Sequence, residues 1–105
     1  IAPSAIAIVP AAGGESRQLT AATHMHASPR WTPDGRSLLL VADLGGVRDI
    51  YQLALTPDLT PQGEPTRLST GLGAYSVSLT ADASRMAYSI LRLRSNVWVA
   101  PLSRD

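Results

Sequence analysis

The sequence predicts an all-β chain of short antiparallel strands arranged in repeated four-stranded units. Three observations predict it. Gly and Pro, eight of each in 105 residues, punctuate the chain at short intervals. Between them lie runs rich in Leu, Val, Ile, Tyr and Trp, which is strand composition, and no segment carries an apolar stripe of helical period. The chain also repeats itself. Trp31-Thr32-Pro33-Asp34-Gly35 lines up with Leu79-Thr80-Ala81-Asp82-Ala83 at a spacing of 48, Asp49-Ile50-Tyr51 with Asn96-Val97-Trp98 at 47, and Arg17-Gln18-Leu19-Thr20 with Thr66-Arg67-Leu68-Ser69 at 49. Three patches in the same order define one supersecondary unit of about 48 residues.

Ala5–Val9 and Arg17–Thr20 are read as the last two strands of a first unit. Ala27–Thr32, Arg36–Ala42, Arg48–Leu55 and Thr66–Ser69 are the four strands of a complete unit. Tyr75–Thr80, Arg85–Leu91 and Asn96–Leu102 are the first three strands of another. Leu38-Leu39-Leu40-Val41-Ala42 is apolar on both faces, as in a strand buried on both sides. In the following strand Tyr51, Leu53 and Leu55 share one face, with Ile50, Gln52 and Ala54 on the other. Four-stranded units of this length, with a doubly buried second strand, are the pattern of propeller blades. The fold expected is therefore a partial β-propeller. Residues 1–20 end one blade, 21–69 form a complete blade and 70–105 form most of the next, with both ends read as cuts in a longer protein.

Composition narrows the function classes. There is no Cys, so neither a disulfide framework nor a thiolate zinc site is expected. Net charge is +1 and the nine basic residues, all Arg, are spread among the acids, which argues against a nucleic-acid footprint. The opening Ile1–Ala12 stretch is broken by Pro3 and Pro10, is shorter than the roughly 20 residues a membrane span needs, and lacks the basic start of a signal peptide.

The turn Thr32-Pro33-Asp34-Gly35-Arg36 joins the first two strands of the complete blade. Pro33 presets φ, Asp34 accepts a bond from backbone two residues on, and Gly35 permits positive φ. The copy keeps Asp82 but has Ala83 in place of Gly35, so a different turn geometry or some strain is expected there. Asp34 and Asp82 are read as turn formers, because a catalytic acid would not be expected to recur with the turn.

These residues carry a family resemblance. Ser28–Leu53, with Trp-Thr-Pro-Asp-Gly, a basic residue, an apolar strand, a Gly-containing turn and then Ile-Tyr, resembles the repeat of TolB-type β-propellers. Gly13–Thr20 and Pro65–Thr70 resemble the fourth-strand ending of that repeat. More narrowly, Ser69–Leu102 is similar to the last blades of bacterial propellers fused to serine/threonine kinases or winged-helix regulators. The departures are Ala81 and Ala83 in the second copy, and the insert Thr56–Pro65, read as an exposed loop between the third and fourth strands. The resemblance implies a binding module with an extracytoplasmic address. The composition leaves the compartment open.

His24 and His26, at i and i+2 before the first strand of the complete blade, would point the same way on a strand, as two metal ligands do. No third ligand is near in sequence, so they are read as channel-side binding residues, with no metal and no cofactor assigned. Tyr75 and Ser76, opening the equivalent strand of the next blade, are assigned to the same side as contacts for a peptide or small ligand. Trp31, Tyr51 and Trp98 hold repeat positions and are expected to pack between blades. Gly71–Ser76 lacks the spacing and the following helix of a phosphate loop, and Arg92 and Arg94 read as a solvated hairpin tip. No nucleophile elbow, no paired carboxylates and no catalytic constellation are present. The function expected is a non-catalytic propeller module that binds a protein or peptide and is able to self-associate through uncovered blade faces. The alternative is the substrate-gating propeller of a prolyl-oligopeptidase family peptidase, which the resemblance also admits. A hydrolase domain after this chain, against a kinase or winged-helix domain before it, would separate the two.

Overall fold

A computed structural model describes residues 3–82 and 84–90. Among them there is no helix. Eight strands follow in order: β1 (Ala7–Ile8), β2 (Arg17–Gln18), β3 (His26–Trp31), β4 (Ser37–Ala42), β5 (Asp49–Ala54), β6 (Thr66–Arg67), β7 (Ala74–Leu79) and β8 (Met86–Ile90). Each lies within a residue or two of a segment that strand composition marks. The strand expected at Asn96–Leu102, and Trp98 with it, lies outside the described residues.

All pairings are antiparallel. β3-β4-β5-β6 form a four-stranded meander, flanked by two two-stranded sheets, β1-β2 and β7-β8. The described residues thus form an all-β stack of three sheets, and no sheet closes on itself. The doubly apolar β4 explains the stacking. Leu38, Leu40 and Ala42 join Tyr51, Leu53 and Leu55 against Ile6 and Leu19 of the first sheet's segment. Leu39, Val41 and Ile50 face the other way, against Ala74 and Val77 of the third sheet. Leu40, Val41 and Ile50 are essentially out of water, and each such side chain contributes roughly 2 kcal/mol of transfer free energy. The register Leu38↔Leu53 and Leu40↔Tyr51 keeps both apolar rows of the first seam together.

The repeat is visible in individual bonds. Ile6 N–H donates to Thr20 Oγ1 (2.9 Å) and Ile50 N–H donates to Ser69 Oγ (3.0 Å). Leu19 N–H donates to the Ile6 carbonyl, and Leu68 N–H to the Ile50 carbonyl, both at 2.8 Å. The end of the first sheet therefore has the geometry of the end of the complete one. Ile8 faces Arg17 across the first connection and Gln52 faces Thr66 across the second, so the second connection is five residues longer.

A bulge interrupts β3 between Ala27 and Arg30, where Ser28 has φ of 55°. Its hydroxyl accepts from Val77 N–H at 3.1 Å, tying β3 to β7. The bulge reverses the side-chain phase of the residues after it. His26, opposite Ala42, and Trp31, opposite Leu38, consequently face the same seam, toward the first sheet.

Candidate functional site

The end of the stack where β3 runs out carries three turns of one kind. Thr32 Oγ1 donates to Asp34 Oδ1 (2.7 Å), which also accepts Arg36 N–H (2.9 Å). Thr80 Oγ1 donates to Asp82 Oδ1 (2.8 Å), which also accepts Ser84 N–H (3.0 Å). Thr56 Oγ1 donates to Asp58 Oδ1 in the β5–β6 connection. These bonds hold the three carboxyls below the usual carboxylate range, to about 2 at Asp82, where the Ser84 backbone N–H is the largest cause. Each Asp side chain is occupied by its own turn. Pro33 is exposed in the first turn, and Gly35 takes a φ of 70° there. Ala83, its counterpart, lies outside the described residues.

The insert at Thr56–Pro65 is the exposed connection expected between the third and fourth strands, and it is built of tight turns. Leu59 N–H donates to the Thr56 carbonyl, Thr56 N–H to that of Thr60, and Gln62 N–H to that of Ala54, all at 2.8 Å. Arg17 Nη2 of β2 donates to the Asp58 carbonyl at 2.8 Å, fastening this turn to the first hairpin. Between the two lies a cleft of about 550 Å³, lined by Ile8, Val9, Pro10 and Leu59 around the Trp31 ring, with Glu15 among its polar lining. Trp31 is 47 % exposed. It stands at the seam between sheets, as its repeat position suggests. The short first hairpin leaves half of it uncovered.

The residues assigned to the channel side separate. β3 begins at His26, so His24 lies outside the strand whose alternation would align the two rings. His24 is exposed and its Nδ1 pairs with Thr23 Oγ1 at 3.2 Å. His26 is 6 % exposed, and its Nδ1 lies 2.8 Å from the Ser4 carbonyl oxygen and 3.0 Å from that of His24. Ser4 binds back: its Oγ donates to the His26 carbonyl (2.7 Å) and accepts His26 N–H (2.9 Å). Tyr75 is 54 % exposed, with the Arg48 guanidinium 5.7 Å from its ring centroid, a cation–π arrangement. Ser76 Oγ is 2.6 Å from Ser89 Oγ across the β7–β8 pair. No described hydrogen bond joins the histidine segment to Tyr75 or Ser76. Among the described residues no three His, Asp or Glu side chains gather as metal ligands would.

The residue that motif reading passed over is Asp49. Its side chain is fully buried, and its carboxylate accepts from Arg67 Nη2 (2.6 Å), Ser69 Oγ (2.8 Å), Gly71 N–H and Leu72 N–H (both 2.9 Å). Burial opposes ionisation, but these four donors outweigh it and hold the carboxyl far below its ordinary value. Asp49 thereby fastens β5 to the turn that leads into β7. A Cβ on Gly45 would lie 3.1 Å from Arg67 Nη1, so glycine there leaves room for the guanidinium. In the first sheet Ala5 stands in place of Asp49 and Gln18 in place of Arg67; Gln18 Nε2 donates to the Thr20 carbonyl as Arg67 Nε does to that of Ser69. Carboxylate and guanidinium are present together or absent together.

Comparison with known proteins adds no relative: no family model, no curated protein and no solved structure matches the chain.

Proposed function

We propose that the chain is a non-catalytic binding module built of propeller-type blades, the interaction part of a larger protein, which takes an extended apolar segment of a protein partner in the cleft beside Trp31. The half-exposed Trp31 ring in a pre-built cleft is the observation that carries this reading. Trp, with two side-chain torsions and a large apolar face, is enriched among residues that dominate binding energy. The walls are tight turns bonded to one another through Arg17 and Asp58, so little ordering remains to be done on binding. The four-stranded meander between two partial sheets, and the resemblance of Ser28–Leu53 to TolB-type repeats, support the propeller part of the reading.

Selection of peptides from a random library, followed by titration of the enriched sequences, tests it. Trp31→Ala is expected to weaken the selected peptides by roughly thirtyfold, the loss of a 2 kcal/mol anchor. Asp34→Ala, in a neighbouring turn whose carboxylate is already engaged, leaves them within about threefold. Peptides that bind Trp31→Ala as tightly as the parent would move the recognition surface elsewhere on the molecule.

A further inference from the structure

The opposite end of β3 holds a second cleft, of about 250 Å³, which the reading above does not use. Its walls include Leu44, Leu53, Pro61 and Pro65, and its polar lining includes His26, Thr23 and Glu64. His26, only 6 % exposed as a residue, is among the residues that line this cleft. Both groups facing its Nδ1 are carbonyl oxygens, which only accept, so Nδ1 carries the proton. In the neutral ring Nε2 is then an acceptor, and it has no protein partner among the described residues. A buried acceptor without a donor is costly, and such a group calls for an occupant.

The chemistry of the lining selects that occupant. Glu64, exposed at the rim, offers a carboxylate, and Thr23 a hydroxyl oxygen. His26 Nε2 and the Glu64 carboxylate only accept. A zinc ion would want three or four strong protein ligands. The lining has two such groups, and no cluster of three forms among the described residues. A primary ammonium brings three donors on one nitrogen, and a four-carbon stem suits the Leu and Pro walls. We infer that this cleft binds a primary ammonium on an aliphatic stem, with His26 Nε2 and Glu64 as acceptors, as the side chain of a partner's lysine presents it. The chain has no lysine of its own to fill the site.

The ¹⁵N resonance of His26 Nε2 reads occupancy directly, and His24→Asn, a change at an exposed ring, assigns it. Three probes are titrated: acetyl-lysine methylamide, acetyl-norleucine methylamide and n-butylamine. The lysine probe is expected to shift the His26 signal saturably while the norleucine probe does not, and Glu64→Gln weakens it about tenfold, the loss of one charge-assisted bond. A response to both amines points to the lysine side chain; a response to butylamine alone keeps the ammonium and assigns a free amine as its source. No saturable shift with either amine, an equal shift with norleucine, or tighter saturation by Zn²⁺ than by the amines would overturn the inference. Glu64→Gln alters an exposed rim residue outside the strands, so the test does not depend on a variant with a disturbed core.

Discussion

Removing the Asp49 carboxylate should be the most damaging single change at a polar residue in the described structure. Asp49→Ala deletes an acceptor that serves four donors in a site closed to water. Arg67 is 39 % exposed and turns to solvent at little cost. The Gly71 and Leu72 amides and the Ser69 hydroxyl lose their acceptor, and each such loss costs about 1 kcal/mol or more. The sum is roughly 3–4 kcal/mol, the size found when one partner of a buried charged pair is removed. A small domain has roughly 5–10 kcal/mol in total, so the variant should keep less than half of its stability. Urea unfolding followed by far-ultraviolet circular dichroism measures this as a fall in midpoint at unchanged slope. A loss under 1 kcal/mol would mean that the turn into β7 holds without its carboxylate, and that Asp49 is not the fastening it is argued to be.

Two further outcomes follow from the same geometry. Because the folded-state pKa of Asp49 lies below its unfolded value near 3.9, its contribution is complete above about pH 5 and is lost as pH falls toward the folded pKa; Asp49→Asn, measured by urea midpoints across that range, should flatten the acid loss relative to the parent. At Ser28 two terms oppose each other, since glycine relieves the positive φ but neither glycine nor alanine carries an oxygen to accept the Val77 N–H: Ser28→Ala should cost about 1–2 kcal/mol and Ser28→Gly less, and equal losses would show that the backbone at this bulge is not strained.

The fold was legible wherever one residue's pattern carried its environment. Leu38–Ala42 is apolar at every position because β4 is covered on both faces, and the Thr-x-Asp turns recur because each closes on itself within five residues. Thr56-Pro57-Asp58 repeats Thr32-Pro33-Asp34 letter for letter, so the third turn is open to the same reading inside an insert that lies exposed between the third and fourth strands of the meander. The exposure of Trp31 was hidden for a different reason. Alternation counted from His26 places Trp31 on the far face, and only the irregular backbone at Ser28 brings it back. Asp49 draws its partners from residues 18 to 23 positions away, a convergence that no local spacing announces. Its trace in sequence is the matched loss of Ala5 for Asp49 and Gln18 for Arg67, which becomes readable only when the sheets are superposed bond by bond.

The bulge at Ser28 also bears on how this surface can change over generations. Deleting the Ser28 codon would leave four steps from His26 to Trp31, matching the four from Ala42 to Leu38, so β3 would pair regularly with both side chains still on the first seam. Genetic variation of the smallest in-frame kind would thus remove the Ser28 tie to β7 while leaving the seam that Trp31 faces unchanged. Sheets whose first strands differ by this one residue would present the side chain at the end of that strand to the same neighbour.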